Sequence, residues 1–277
     1  MIEKIVVAVA GRGLCEEMMN QLLDIPAIAR ASITVLHVVP SQVTADGMAE
    51  ALEEGGRVLA QAVQSIKAEP GKLNPRLKQG DAKTIVCEVA EEENADLIIM
   101  GSRALGRLRS ILDNSVSQYV FQLTGRPMLL IKDGIFVRKL KRVMVALDKS
   151  DSAKQALKLA LFLTRDLKGA QVILARVNPS NPESRPEDDP VIAEAIREVK
   201  NMGVDYRAVT SQGKAGAEIC KIAEETNADL LILGSPDRRP SVAKGLPDLD
   251  RLLGQSLSDY VRVYAECPVL LARFPEN

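Results

Sequence analysis

Short apolar runs alternate with longer amphipathic stretches along the chain. Residues 5–9, 33–39, 97–100 and 128–131 are nearly continuous in β-branched and aliphatic side chains and are bounded by Gly, Pro or charge. That is the pattern of strands buried on both faces of a parallel sheet. A weaker run, Leu73–Gln79, predicts a further strand. Helical spacing fills the intervals. Its clearest stripe carries Leu108, Ile111, Leu112, Val116, Tyr119, Val120 and Leu123 at separations of three and four. The order is therefore β-α-β-α-β-α-β-α-β, an open parallel α/β sheet of the mononucleotide-binding type.

The same order is then written a second time. Asn-Ala-Asp-Leu-Ile-Ile-Met-Gly-Ser at 94–102 returns as Asn-Ala-Asp-Leu-Leu-Ile-Leu-Gly-Ser at 227–235. Residues 4–10 match 142–148, 36–40 match 175–179, 114–120 match 255–261 and 126–132 match 267–273, in unbroken order. Such a repeat denotes two copies of one folding unit, with domains expected at 1–136 and 137–277. The joining segment, residues 133–140, is short and lacks Pro and Ser, so the domains are expected to pack on each other. Both copies reach Gly-Ser just after an apolar strand, at Gly101-Ser102 and Gly234-Ser235, where parallel α/β proteins commonly hold phosphate.

Composition narrows the partners. The chain has 277 residues, 46% apolar and 26% charged, enough for two ordinary cores. With no Trp, four Tyr, four Phe and a formal charge of −1, it lacks both stacking platforms and a general basic field, which argues against nucleic acid. No apolar run approaches the length of a membrane span, and the first residues do not read as a signal peptide, so a cytoplasmic location is expected. Cys15, Cys87, Cys220 and Cys267 form no Cys-x-x-Cys pair, and buried reduced thiols are expected rather than a metal site, with Cys87 and Cys220 on the buried faces of equivalent helices.

Little in the chain suggests chemistry. The single histidine, His37, lies within a predicted strand, with Arg176 at its counterpart, and a hydrogen-bonding role is expected of it. There is no phosphate-binding Gly-x-x-x-x-Gly-Lys loop, and Gly11-Arg-Gly13-Leu-Cys-Glu16 misses the dinucleotide fingerprint at its third glycine. The remaining candidate is the stretch from Gly101 to Ser115. A glycine leaving the strand allows close approach of phosphate, Ser115 can cap the next helix, and Arg103, Arg107 and Arg109 add positive charge. The same residues could equally serve only a turn and a cap.

Val-Ala-Val at 7–9, Leu-His-Val at 36–38, the Gly-Ser strand at 94–102, Asn-Ser-Val-Ser-Gln-Tyr-Val at 114–120 and Arg-Pro-Met-Leu-Leu-Ile at 126–131, taken in order and twice, resemble the universal stress proteins in their tandem two-domain form. The resemblance covers nearly the whole chain. It implies two tandem Rossmann-like domains of the adenine-nucleotide alpha hydrolase-like kind, each a five-stranded parallel sheet of order 3-2-1-4-5 flanked by helices. It also implies a nucleotide motif, Gly-x-x-Gly-(nine residues)-Gly-Ser/Thr, with an Asp at the end of the first strand.

Residue by residue, the first copy matches that motif at Gly101 and Ser115, with Ser102, Arg103 and Val116 beside them as candidate contacts and Val38 at the adenine-facing position. It departs at Ala104 and Asn114, which replace glycines, and at Ala10, which replaces the Asp. The second copy has Asp148, Val177, Gly234, Ser235 and Ser256, but Asp237 and Gln255 replace glycines and two prolines enter a longer loop. Proline removes amide donors and Asp237 repels phosphate, so the second copy is degenerate for a triphosphate.

The resemblance implies a stress-response regulator that binds adenine nucleotide, ATP or AMP, with or without Mg2+, chiefly through domain 1. Hydrolysis would be at most slow and incidental. The alternative is a nucleotide-free interaction module for a protein partner, built from two degenerate domains. An enzyme of the wider hydrolase-like group ranks last for want of acid and base residues. The final strands, 128–131 and 269–272, are expected to meet in an intramolecular pseudo-dimer.

Overall fold

The computed structural model describes residues 2–102, 115–235 and 256–273. Contacts divide the chain into two units, Met1–Gly134 and Ile135–Asn277. The first unit runs β1 (Lys4–Ala8), α1 (Leu14–Leu23), a short α2 (Pro26–Ala29), β2 (Ser32–Val39), α3 (Ala45–Ser65), β3 (Leu73–Gln79), α4 (Ala82–Glu92), β4 (Leu97–Ser102), α5 (Val116–Leu123) and β5 (Met128–Lys132). Its strands pair in parallel in the order β3-β2-β1-β4-β5. The second unit runs β6 (Arg142–Ala146), α6 (Asp151–Thr164), β7 (Gln171–Val177), α7 (Pro190–Asn201), β8 (Asp205–Ser211), α8 (Ala215–Glu225), β9 (Leu230–Gly234), α9 (Leu257–Tyr264) and β10 (Val269–Ala272). Its parallel order, β8-β7-β6-β9-β10, repeats the first.

The apolar runs form strands because both of their faces are covered. Ile5, Val6, Val7, Ile33, Val35, Ile98, Ile99, Met128 and Leu129 are almost completely removed from solvent, and so are Val143, Met144, Val172, Ile173, Leu231 and Ile232 in the second unit. Burial of each such side chain contributes about 1.5–3 kcal/mol. β4 extends past its apolar run: Gly101 pairs with Ile131 and Ser102 with Lys132, so Gly101-Ser102 belongs to the strand rather than to the turn after it.

The repeated Asn-Ala-Asp has a folding explanation. Asn94 and Asn227 adopt left-handed conformations, φ 51° and 50°, just past α4 and α8. The next amides close the same helix stop twice: Asn94 N donates to Glu91 O at 3.0 Å and Ala95 N to Ala90 O at 2.9 Å, while Asn227 N donates to Glu224 O at 2.9 Å and Ala228 N to Ala223 O at 2.8 Å. The Asp then fastens the start of the unit's first strand. Asp96 accepts from the amides of Glu3 and Lys4 at 2.8 and 3.0 Å, and Asp229 from those of Lys141 and Arg142 at 3.2 and 2.8 Å.

Two helical expectations change. Leu108, Ile111 and Leu112 lie outside the described residues, and α5 buries Ser117, Gln118, Val120 and Phe121, leaving Tyr119 exposed with Lys83 Nζ 5.2 Å from its ring centre. Cys87 and Cys220 are half-buried, because the inward positions of their helices are Val86, Val89 and Ala90 in α4 and Ile219, Ile222 and Ala223 in α8. Each cysteine sits one residue, roughly 100°, from that face. No disulfide joins the four cysteines.

Candidate functional site

Strand register assembles the candidate residues at the carboxyl edge of the first sheet. Ala8 lies beside Leu36 on one flank and Met100 on the other. Val38 in β2 and Ser102 in β4, beside Gly101, lie two residues beyond Leu36 and Met100, and Ala10 follows the end of β1. This is the switch point between β1 and β4, where an open α/β sheet leaves a crevice. Ser115 stands at the start of α5, where its Oγ accepts from Gln118 N at 3.2 Å and lies 3.4 Å from Ser117 Oγ. Its hydroxyl is the helix cap, and Val116 begins the helix behind it. Arg103, Ala104 and Asn114 lie outside the described residues, as do Arg107 and Arg109.

In the second unit the register is the same. Ala146 lies beside Ala175 and Leu233, and Asp148, Val177 and Ser235 each follow two residues further along, Ser235 next to Gly234. The two glycines nevertheless have opposite surroundings. Among the described residues, a methyl group at Gly101 would meet Cys15 Sγ at 3.9 Å and Ile131 O at 4.0 Å. At Gly234 it would meet the backbone of α6, with Ser152 C at 2.4 Å, Ser152 O at 2.5 Å and Ala153 N at 2.6 Å. Helix packing accounts for glycine at 234, whereas none of the described residues crowds a side chain at 101.

The remaining polar groups of the second site are also engaged. Asp148 accepts from Ser150 N at 2.8 Å and from the Ser150 hydroxyl, and Ser150 in turn accepts from Ala153 N at 3.2 Å to cap α6. The buried Arg273 donates to Ser235 Oγ at 3.3 Å. Ser256 caps α9, accepting from Asp259 N at 3.2 Å while its own hydroxyl donates to the Asp259 carboxylate at 2.7 Å. A cavity of about 230 Å³ lies instead between α6 and α7, lined by Asp148, Leu157, Val191 and Glu194, with Lys154 and Glu194 paired at 3.2 Å.

His37 and Arg176 do one job with different chemistry. His37 Nδ1 is 2.8 Å from Val9 O, a contact that needs the proton on Nδ1, and Arg176 donates to the equivalent Leu147 O at 3.3 Å. Each caps the carbonyl leaving its unit's first strand. Arg176 also stands 3.9 Å from the buried Asp189, which caps α7 through the amides of Val191 and Ile192. Cys15, under Gly101, is no nucleophile: burial, then Glu16, pushes its thiol well above the ordinary range. Among the described residues no group of carboxylates could hold Mg2+ either: Ala10 offers none, and that of Asp148 is bonded to Ser150.

One contact had no signal in the sequence. Arg12 pairs with Asp133 across 121 positions, and Asp133 N donates to Ser102 O at 2.8 Å. Gly11 and Gly13, on either side of Arg12, have φ of 72° and 78°. The two glycines that half-resembled a dinucleotide fingerprint thus serve the backbone of the β1–α1 loop.

The family model described as the universal stress protein family matches residues 1–132 and again 139–273. The chain belongs to the universal stress protein family, in its tandem form. A universal stress protein of Archaeoglobus fulgidus superposes on it with a TM-score of 0.77 at 22% identity, covering 99% of this chain and 97% of that one. Universal stress protein MJ0531 of Methanocaldococcus jannaschii is 27% identical over 139 residues, 47% of this chain and 82% of the relative. Universal stress protein Sll1654 of a Synechocystis strain is 35% identical over 74 residues, so the match spans 47% of that relative's length and 26% of this chain. One relative's length therefore corresponds to about half of this universal stress protein, as two copies require.

Proposed function

We propose that this universal stress protein binds an adenine nucleotide in its first unit, and that occupancy of the site changes its affinity for a protein partner in the cytoplasm. The observation that carries the reading is the exposed edge at Gly101, which no described residue crowds. It lies at the switch point between β1 and β4, beside Ser102 and near Val38, and none of the described residues supplies a packing reason for its glycine. Phosphate would lie against the Gly101-Ser102 edge and the cap of α5 at Ser115, with adenine toward Val38. The second unit contributes no triphosphate site in this reading, because α6 fills the space over Gly234. Hydrolysis is at most slow and incidental, since His37 Nδ1 is committed to a backbone carbonyl and the Cys15 thiol is inert.

The test is direct. Protein purified without added nucleotide is denatured and its released small molecules are chromatographed, and ATP, ADP and AMP are titrated calorimetrically. Bound nucleotide or saturable heat is expected. Gly101→Val and Ser115→Ala should weaken binding by about tenfold or more, and Ser256→Ala should leave it unchanged. No bound nucleotide and no heat at millimolar ATP would return the chain to the alternative, a nucleotide-free interaction module.

A further inference from the structure

Arg12 and Asp133 flank the candidate phosphate edge from opposite sides. Arg12 belongs to the β1–α1 loop and Asp133 directly follows β5, while β4, carrying Gly101 and Ser102, lies between β1 and β5. Neighbouring strands stand about 4.8 Å apart, so a side chain that joins the β1 side to the β5 side spans about 10 Å across the end of β4. The Arg12–Asp133 pair therefore crosses the Gly101-Ser102 edge. Asp133 is held there by its own amide, bonded to Ser102 O. Arg12 is held by the two left-handed glycines of a loop that a side chain at 11 or 13 would strain.

The pair is about half-exposed at Arg12 and less so at Asp133, with side-chain exposures of 48% and 30%, so exchange with a competing anion costs little desolvation. Neither partner recurs in the second copy, where Ser150 stands at the position of Arg12 and Phe274 at that of Asp133.

We infer that Arg12 is a phosphate-binding residue of the first unit and that Asp133 is its resident counter-ion, displaced when the terminal phosphates of a nucleotide arrive. This rests on the nucleotide reading of the same site and adds its specificity: a guanidinium suits two phosphate oxygens at once, so nucleotides with more phosphates gain more from it. The Asp133 carboxylate competes with phosphate for Arg12 and lowers the affinity that a free guanidinium would give.

The experiment is calorimetric titration of the full chain with ATP, AMP and inorganic tripolyphosphate, in wild type, Arg12→Ala, Asp133→Asn and the double variant, with melting curves establishing that each is folded. Arg12→Ala is expected to weaken ATP and tripolyphosphate by about tenfold or more and AMP by less. Asp133→Asn is expected to tighten ATP several-fold, and to do so only while Arg12 is present. ATP binding unchanged by Arg12→Ala overturns the contact and leaves the nucleotide reading standing. Equal tightening by Asp133→Asn with and without Arg12 overturns the counter-ion role, because it reports only the loss of a negative charge. Arg12-dependent binding of tripolyphosphate with no added gain from ATP keeps the phosphate contact and removes the adenine, and no heat from either ligand overturns both.

Discussion

At the scale of single residues, Glu16 is the side chain whose placement has a measurable cost. It lies in the first turn of α1, almost fully buried, and burial raises its carboxyl above the ordinary value of 4.5, against a smaller opposing effect of the amides of Glu16 and Cys15. A raised folded-state value means the favourable contribution is complete below the unfolded value and is lost as pH rises through the folded one. Glu16→Gln is therefore expected to be more stable than wild type at neutral pH, with the two curves converging as pH falls toward 4.5. Urea unfolding of both proteins across that range checks it, and a constant difference at all pH values would contradict it. The residue scale is also where the sequence was least legible. Arg12 and Asp133 meet across 121 positions, and only the folded sheet brings them to one edge. His37 and Arg176 share a role that their identities conceal, because what matters is a donor aimed at a carbonyl.

At the scale of elements, the sequence was read well where burial dictates residue type. Strands covered on both faces leave continuous apolar runs, and β3, although weaker, was placed at its observed bounds, Leu73–Gln79. Strand ends were read less well, because Gly101 and Ser102 carry no apolar signature yet still pair with β5. The repeated Gly-Ser illustrates the same limit: identical letters serve a tight helix contact at Gly234 and, at Gly101, an edge that no described residue crowds. This difference can be measured. Gly234→Ala forces a methyl group against the backbone of α6 and is expected to cost about 1–3 kcal/mol. Gly101→Ala meets no described atom closer than 3.9 Å and is expected to change stability by no more than about 0.5 kcal/mol. Denaturant midpoints of the two variants decide the matter, and equal losses would refute the distinction.

At the scale of the whole molecule, the two copies share their folding devices and differ at the carboxyl edge of the sheet. Both copies retain the helix stop at Asn94 or Asn227 and the Asp96 or Asp229 clamp on the first strand, the parts that make the fold close. Among the described residues nothing crowds the edge at Gly101 in the first copy, while the second spends the same region on Arg273, Ser235 and the start of α6. A ligand that binds one unit stabilises that unit by RT ln(1 + [L]/Kd), about 2.7 kcal/mol at a hundredfold excess over Kd. Hydrogen exchange on the full chain should therefore be asymmetric. Saturating ATP is expected to slow exchange at the end of β4 and the start of α5 by roughly a hundredfold where exchange needs the unit to open, and to leave the amides of β9 and α9 at their original rates. Protection that rose equally at β9 would place nucleotide in the second unit and contradict the assignment. Protection at β4 that vanished in Gly101→Val but survived in Ser256→Ala would tie the stabilisation to the first sheet's edge, where no described residue crowds position 101.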